Sequence, residues 1–160
     1  MSPSEPLLLT VMRRVEWVLK GILAGDVYNY TTGDFKVVRG LRVFTEAVGY
    51  PFDMVYLGGD HRPPEYLPDH RVFRYPTILV AAYVDEEMGE PVTKMLKHLA
   101  DVQLALETDL RSGDQASLGA LISWGHLGQV VTDEGELTVA GGAGFRQELQ
   151  LCLSGDWGEL

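Results

Sequence analysis

From Phe145 to Leu153 the chain alternates. Phe145, Leu149, Leu151 and Leu153 fall on one side; Arg146, Glu148, Gln150 and Cys152 fall on the other. Side chains on a strand repeat every two residues, so this pattern predicts a strand with one buried and one wetter face. Such a sheet needs a cover on its apolar face. Two upstream stretches have the period to supply it. Leu7/Leu8, Val11, Val15, Val18/Leu19 and Ile22 recur every three or four residues and predict an amphipathic helix running to Ala24. The opening Ser2-Pro3-Ser4-Glu5 carries helix-start chemistry, and Gly25 is its expected stop. A second helix is expected to open at Glu90-Pro91 and end at Gly113, burying Val92, Met95/Leu96, Leu99, Val102/Gln103, Leu106 and Leu110.

The remaining extended segments complete the sheet. Phe35 to Arg39 reads as a short strand or arm, and Phe52 to Leu57 has the β-branched and aromatic bias of a strand. Val72 to Val84 reads as the longest strand; Pro76 interrupts its ladder, so this strand is at an edge, bulged, or begins afresh at Thr77. Between these two, Pro63, Pro64 and Pro68 argue against regular structure. Leu118 to Val131 reads as extended, followed by a turn at Asp133-Glu134-Gly135. The order helix, strands, helix, strands predicts an α+β fold. Its expected architecture is a small mixed or antiparallel sheet packed against two main helices, in a single domain spanning residues 1–160.

Charge narrows the function classes. The net charge is −10, and it lies wholly in the second half. Residues 1–80 balance nine acids with nine bases, whereas residues 81–160 hold fourteen acids against Lys94, Lys97, Arg111 and Arg146. Gripping a phosphate backbone needs clustered Lys and Arg, so a conventional nucleic-acid binder is not expected. Apolar runs fall short of the ~18 residues that span a bilayer. Leu7-Leu8-Leu9 has no basic stretch before it, so no secretory signal is expected and the chain reads as made in a cytoplasm.

Catalytic patterns are also missing. His61, His70, His98 and His126 have no partner at metal-ligand spacing, and each is expected on the surface or in a loop. Gly58-Gly59-Asp60 and Gly141-Gly142-Ala143-Gly144 lack the Lys-Ser/Thr of a phosphate loop. They read as a strand-ending turn and a loop tip. Cys152 has no local base, and Glu86-Glu87 and Asp133-Glu134 are neighbours whose carboxylates diverge. Catalytic, cofactor-binding and metal-ligating residues are therefore not expected.

What stands out is surface chemistry. Trp124 sits on an extended segment and Trp157 beside the last strand; each is suited either to packing on a partner or to lidding the chain's own core. Arg39, Arg42, Arg62, Arg71 and Arg74 concentrate in the balanced half, opposite a later pool of acids. Opposite charge bias on two halves suits head-to-tail contacts between copies. The expected interface residues are Arg39, Arg42, Arg62, Tyr66, Trp124 and Trp157.

The whole-chain layout resembles the tail terminator (tail-completion) proteins of long-tailed phages. The elements that carry the resemblance are the opening helix, Val37-Val38-Arg39-Gly40, and a strand entered through Pro51 and closed by Gly58-Gly59-Asp60. They continue with the Val72–Val84 strand, a helix ending in Ala105-Leu106-Glu107-Thr108-Asp109-Leu110, a strand pair, and the Leu149–Leu153 strand. Together they cover roughly residues 5–154. The Arg62–Pro68 proline-rich loop and the glycines at 140–144 depart from the shortest members.

The resemblance implies a structural virion protein, not an enzyme, with no cofactor. It implies a homo-oligomeric ring, of six subunits in the family, capping the head-proximal end of the tail tube and ending its polymerisation. The implied partners are the chain itself, the tube protein and the head–tail connector, with DNA passing through the lumen without specific binding. A head–tail connector or neck ring protein is the alternative within that setting. A small α+β enzyme or ligand-binding domain is the alternative outside it.

Overall fold

The computed structural model describes residues 5–32, 37–40, 52–84, 90–111, 116–133, 142–156 and 158–160. The first helix, α1 (Leu7–Lys20), stops one turn short of Ala24. Gly21 donates its backbone N–H to Trp17 and Val18 and closes the helix. Ile22 is still fully buried, but from the loop. At the other end Pro6 occupies the cap with no side-chain bond. The Leu7 amide instead donates to the Glu159 carbonyl, 2.6 Å away, so the far end of the chain satisfies a helix-start donor. Ser2 and Ser4 lie outside the described residues.

The strands are β1 (Val37–Arg39), β2 (Phe52–Leu57), β3 (Glu65–Tyr66), β4 (Val72–Arg74), β5 (Thr77–Val84), β6 (Trp124–Asp133) and β7 (Ala143–Gly155). The second long helix is α2 (Pro91–Arg111), and a single turn, α3 (Ala116–Ala120), follows it. They form the expected α+β fold, with one mixed seven-stranded sheet. Only β1 and β2 run parallel; β2, β5, β7 and β6 follow in antiparallel succession. The far end of β7 pairs with β4, which pairs with β3.

Four expectations change. The longest strand is β7, because Pro76 splits Val72–Val84 into β4 and β5: proline has no N–H to give to a ladder. The Leu151 amide takes the Pro76 carbonyl instead, so β7 runs unbroken past the gap. Between Pro64 and Pro68 there is a strand after all. It has only two residues and lies at an edge, where flanking prolines are tolerated. The Leu118–Val131 stretch starts with the turn α3 and becomes extended only at Trp124; Ala143 and Gly144 belong to β7 rather than to a loop tip.

One face of the sheet meets α1 and α2. Val55, Ile78, Val80, Phe145, Leu149 and Leu151 pack there against Val11, Val15, Leu19, Val102 and Leu106. Gly125 lets the helices approach. A Cβ there would lie 2.8 Å from Ile122, 2.9 Å from Leu151 and 3.1 Å from Leu110. Gln147 is the one polar side chain on the apolar side of β7's alternation. It fills the β-bulge between Leu127 and Val130: its amide donates to the Gly128 carbonyl at 3.2 Å and accepts from Gln103 at 2.9 Å.

Helix α2 also carries a buried polar row. His98 is fully buried and its Nε2–H donates to Asp53 Oδ1 on β2, which overturns its expected place on the surface. It falls three residues after Met95 and four before Val102, on the inward face, whereas Leu96 turns out to solvent at 51% exposure. One turn on, Asp101 accepts from the backbone amides of Asn29 and Tyr30 and from the Asn29 side chain at 2.8–3.0 Å. That carboxylate fixes the loop after α1. Among the described residues no helix is long and apolar enough to cross a membrane.

Candidate partner interface

Trp124 starts β6 opposite Cys152 of β7, and His126 follows opposite Gln150. Cross-strand partners share a face, so both rings stand on the side of the sheet away from the helices. They stack, with centroids 5.4 Å apart and planes 7° from parallel. His126 Nε2–H donates to Gln150 Oε1 at 2.9 Å and fixes the pair in azimuth.

A loop from the opposite side of β7 completes the cluster. The chain leaves β2 through Gly58, and His61 anchors it twice: its amide donates to the Tyr75 carbonyl and its Nε2–H to the Leu151 carbonyl, each at 2.9 Å. The His61 ring meets Tyr75 and Trp124 edge-on at 5.6 and 5.9 Å. Arg62 is thereby laid over two rings, 4.5 Å from the centroid of Tyr75 and 5.4 Å from that of Trp124. Guanidinium over an aromatic face is a favourable contact that leaves the N–H donors at the rim. Tyr75 O–H donates to Glu65 on β3 at 2.7 Å. This bond and the carboxylate charge hold the phenol above its ordinary ionisation range. Next to Glu65, Tyr66 stands 70% exposed.

Cys152 lies beneath the cluster, 2% exposed. Burial is the main cause that pushes its thiol up; Glu65 adds to this, while Arg62 and a Ser123 hydrogen bond act against it. A raised thiol is a poor nucleophile, and Cys152 is packing material.

Of the expected interface residues, Arg62 and Trp124 are brought into contact, whereas Tyr66 is the cross-strand partner of Val72 and so stands on the opposite face of the sheet from Trp124. Arg39 is elsewhere, on β1, and its guanidinium forks onto Glu16 of α1 at 3.1 and 2.7 Å. Arg42 and Trp157 lie outside the described residues, as do Glu86, Glu87, Gly113 and the turn at 134–135. His61, Tyr75 and His126 were not anticipated as members. Their signal was faint: His126 is two residues from Trp124 on the same strand, which is the spacing of a shared face.

Two other places bring polar or ionisable groups together. Asp53 and His98 form a carboxylate–imidazole pair, but both side chains are 0% exposed, so no substrate can touch them. On the helix side a groove of about 300 Å³ runs between α1 and α2, lined by Trp17, Lys20, Tyr28, Ala105, Thr108 and Asp109. Its wall is rigid, because Arg14 forks onto Asp109 at 3.0 and 2.7 Å and stacks 4.3 Å over Trp17. Among the described residues no group of three His, Cys, Asp or Glu side chains is placed to hold a metal.

No protein-family model and no curated protein matches this chain.

Proposed function

We propose that this chain is a structural virion protein: a ring that caps the head-proximal end of a phage tail tube, ends its polymerisation and joins it to the head connector. The observation that carries the reading is the cluster in which exposed Arg62 lies over buried Tyr75 and half-buried Trp124, with exposed His126 stacked on the tryptophan. Arg, Tyr and Trp held in fixed geometry at a surface are the residue types that dominate protein–protein binding energy. The helix–strand order and the two-layer α+β architecture agree with the layout of the tail terminators.

In this reading the partners are further copies of the chain, the tube protein and the connector, and the site of action is the virion tail. Head-to-tail contacts close into a ring when the rotation between copies allows, with six subunits as the family expectation. The acid-rich second half keeps the passing DNA from sticking, since a basic lumen would bind its phosphates. The protein acts by fit and charge, without a catalytic group.

Native mass spectrometry and electron microscopy test this directly. A closed ring, and shorter tubes when the chain is added to polymerising tube protein, are the expected results. A chain that stays a single subunit at tens of micromolar, both alone and with tube protein, overturns the proposal.

A further inference from the structure

Among its described residues the sheet ends in three strands: the two-residue β3, and β1 and β6, the two edge strands longer than that. Strand β1 pairs only with β2, and β6 pairs only with β7. Following the pairings across, β1 and β2 point one way, β5 the other, β7 back again, and β6 opposite to β7. The two edge strands are therefore antiparallel to each other. A second copy added in the same orientation would bring its β1 beside β6 as an antiparallel neighbour, without turning either molecule over. A head-to-tail repeat joins two different edges, and these two would meet as antiparallel neighbours; an isologous dimer would pair β6 with β6.

One row of side chains runs unbroken between the edges: Val38, Met54, Ala81, Arg146 and Val131 are successive cross-strand partners. It ends in a valine at each edge. Val38 is half-buried, and Val131 is 42% exposed. Sheet edges that stay unpaired are usually blunted by lysine or proline. Strand β6, Trp-Gly-His-Leu-Gly-Gln-Val-Val-Thr-Asp, has neither. Past its bulge, Val130 to Thr132 returns to regular pairing with β7, a β-branched stretch whose other side pairs with no strand among the described residues.

We infer that β6 of one copy continues the sheet through β1 of the next, in antiparallel pairing centred on Val131 and Val38 of the partner subunit. This rests on the ring reading and assigns its subunit contact. Because β1 has three residues, the strand pairing is short. It fixes orientation and register, while side-chain contacts around it supply most of the affinity.

Val131→Lys tests the edge, because the position is exposed and a lysine there blunts pairing without disturbing the core. Circular dichroism and the thermal midpoint verify that the variant is folded. The expected result is a folded protein whose midpoint concentration for ring assembly rises at least about tenfold. As a second arm, a chain carrying Val38→Cys and Val131→Cys should give an intermolecular disulfide ladder under mild oxidation. Wild type, with its buried Cys152, should give none.

A folded Val131→Lys that keeps the wild-type ring, or a double-cysteine chain that yields no ladder, overturns the inference while the ring proposal stands. Covalent dimers from Val131→Cys alone also overturn it, because they show β6 meeting β6. A variant that forms rings but no longer engages tube protein overturns it as well and gives the edge to the tube. If wild type never assembles, both fall.

Discussion

His98 Nε2 and Asp53 Oδ1 lie 2.7 Å apart in the centre of the molecule, with neither side chain reached by solvent. The rings of Tyr30 and Phe145 close over the imidazole at 6.3 and 5.8 Å. Asp53 Oδ2 and His98 Nδ1 are buried without a hydrogen-bond partner. The pair is thus only half-satisfied. Removing one member leaves the other stranded, whereas removing both removes two orphaned atoms as well. His98→Leu alone is expected to cost about 3–5 kcal/mol in chemical denaturation. Combining it with Asp53→Val should recover most of that loss, to within about 1 kcal/mol of wild type. A double variant that stays as unstable as His98→Leu alone would show that the pair contributes more than its own desolvation costs.

The ion pairs should rank by burial. Arg14 and Asp109 join α1 to α2 through two hydrogen bonds, with side chains 18% and 11% exposed. Arg71 and Asp69 make a comparable contact in the open, at 58% and 57%. Asp109→Ala is expected to destabilise by about 3 kcal/mol, and Asp69→Ala far less, because solvent screens its pair. Urea midpoints of the two variants measure the difference.

Alkaline titration should separate the tyrosines. Tyr75 is raised by its hydrogen bond to Glu65 and then by burial; Tyr28 is raised by burial and by Asp101. A phenol whose folded pKa exceeds its unfolded value contributes stability that is whole below the unfolded value, about 10. That contribution disappears as pH climbs through the folded value. Stability should therefore fall on the alkaline side of pH 10, and ultraviolet difference spectra should show Tyr28 and Tyr75 among the late-ionising tyrosines. Tyr75→Phe should remove one of them and flatten the alkaline loss.

Turn α3 passes through the left-handed region at Leu118, Gly119 and Ala120, with φ of 53°, 72° and 62°. An L-residue with a Cβ is disfavoured there by roughly 1–2 kcal/mol. Ala120 is exposed, so nothing but backbone strain is at stake. Ala120→Gly should raise stability by about 1 kcal/mol, read as a higher thermal midpoint. An unchanged or lower midpoint would show that this turn is not strained in solution.

The Arg62 cluster should behave as an interaction centre. Arg62→Ala removes the stacked guanidinium but leaves Tyr75, Trp124 and the buried Cys152 in place. Monomer stability should change by less than about 1 kcal/mol, while subunit or tube-protein binding should weaken by about 2 kcal/mol or more. Equal binding by the folded variant would remove Arg62 from any interface.

Periodicity alone determined the elements with repeated patterns. The inward stripe of α1, the start of α2 at Pro91, the alternation of β7 and the α+β class all follow from side-chain spacing, because burial on one face imposes its period on the chain. Composition likewise placed the whole net charge in the second half. What spacing could not decide is which distant atoms meet. His98 stands at the spacing of the buried stripe, three residues after Met95 and four before Val102, but only Asp53, forty-five residues away, makes its burial tolerable. Arg39 and Arg62 look alike in sequence. Tertiary structure puts the first on Glu16 and lays the second over Tyr75 and Trp124. The two-residue β3 and the split at Pro76 depend on whether a neighbouring strand is there to pair. Local patterns record what each segment must bury; which polar group answers which is fixed only when strands and helices from opposite ends of the chain come within hydrogen-bonding distance.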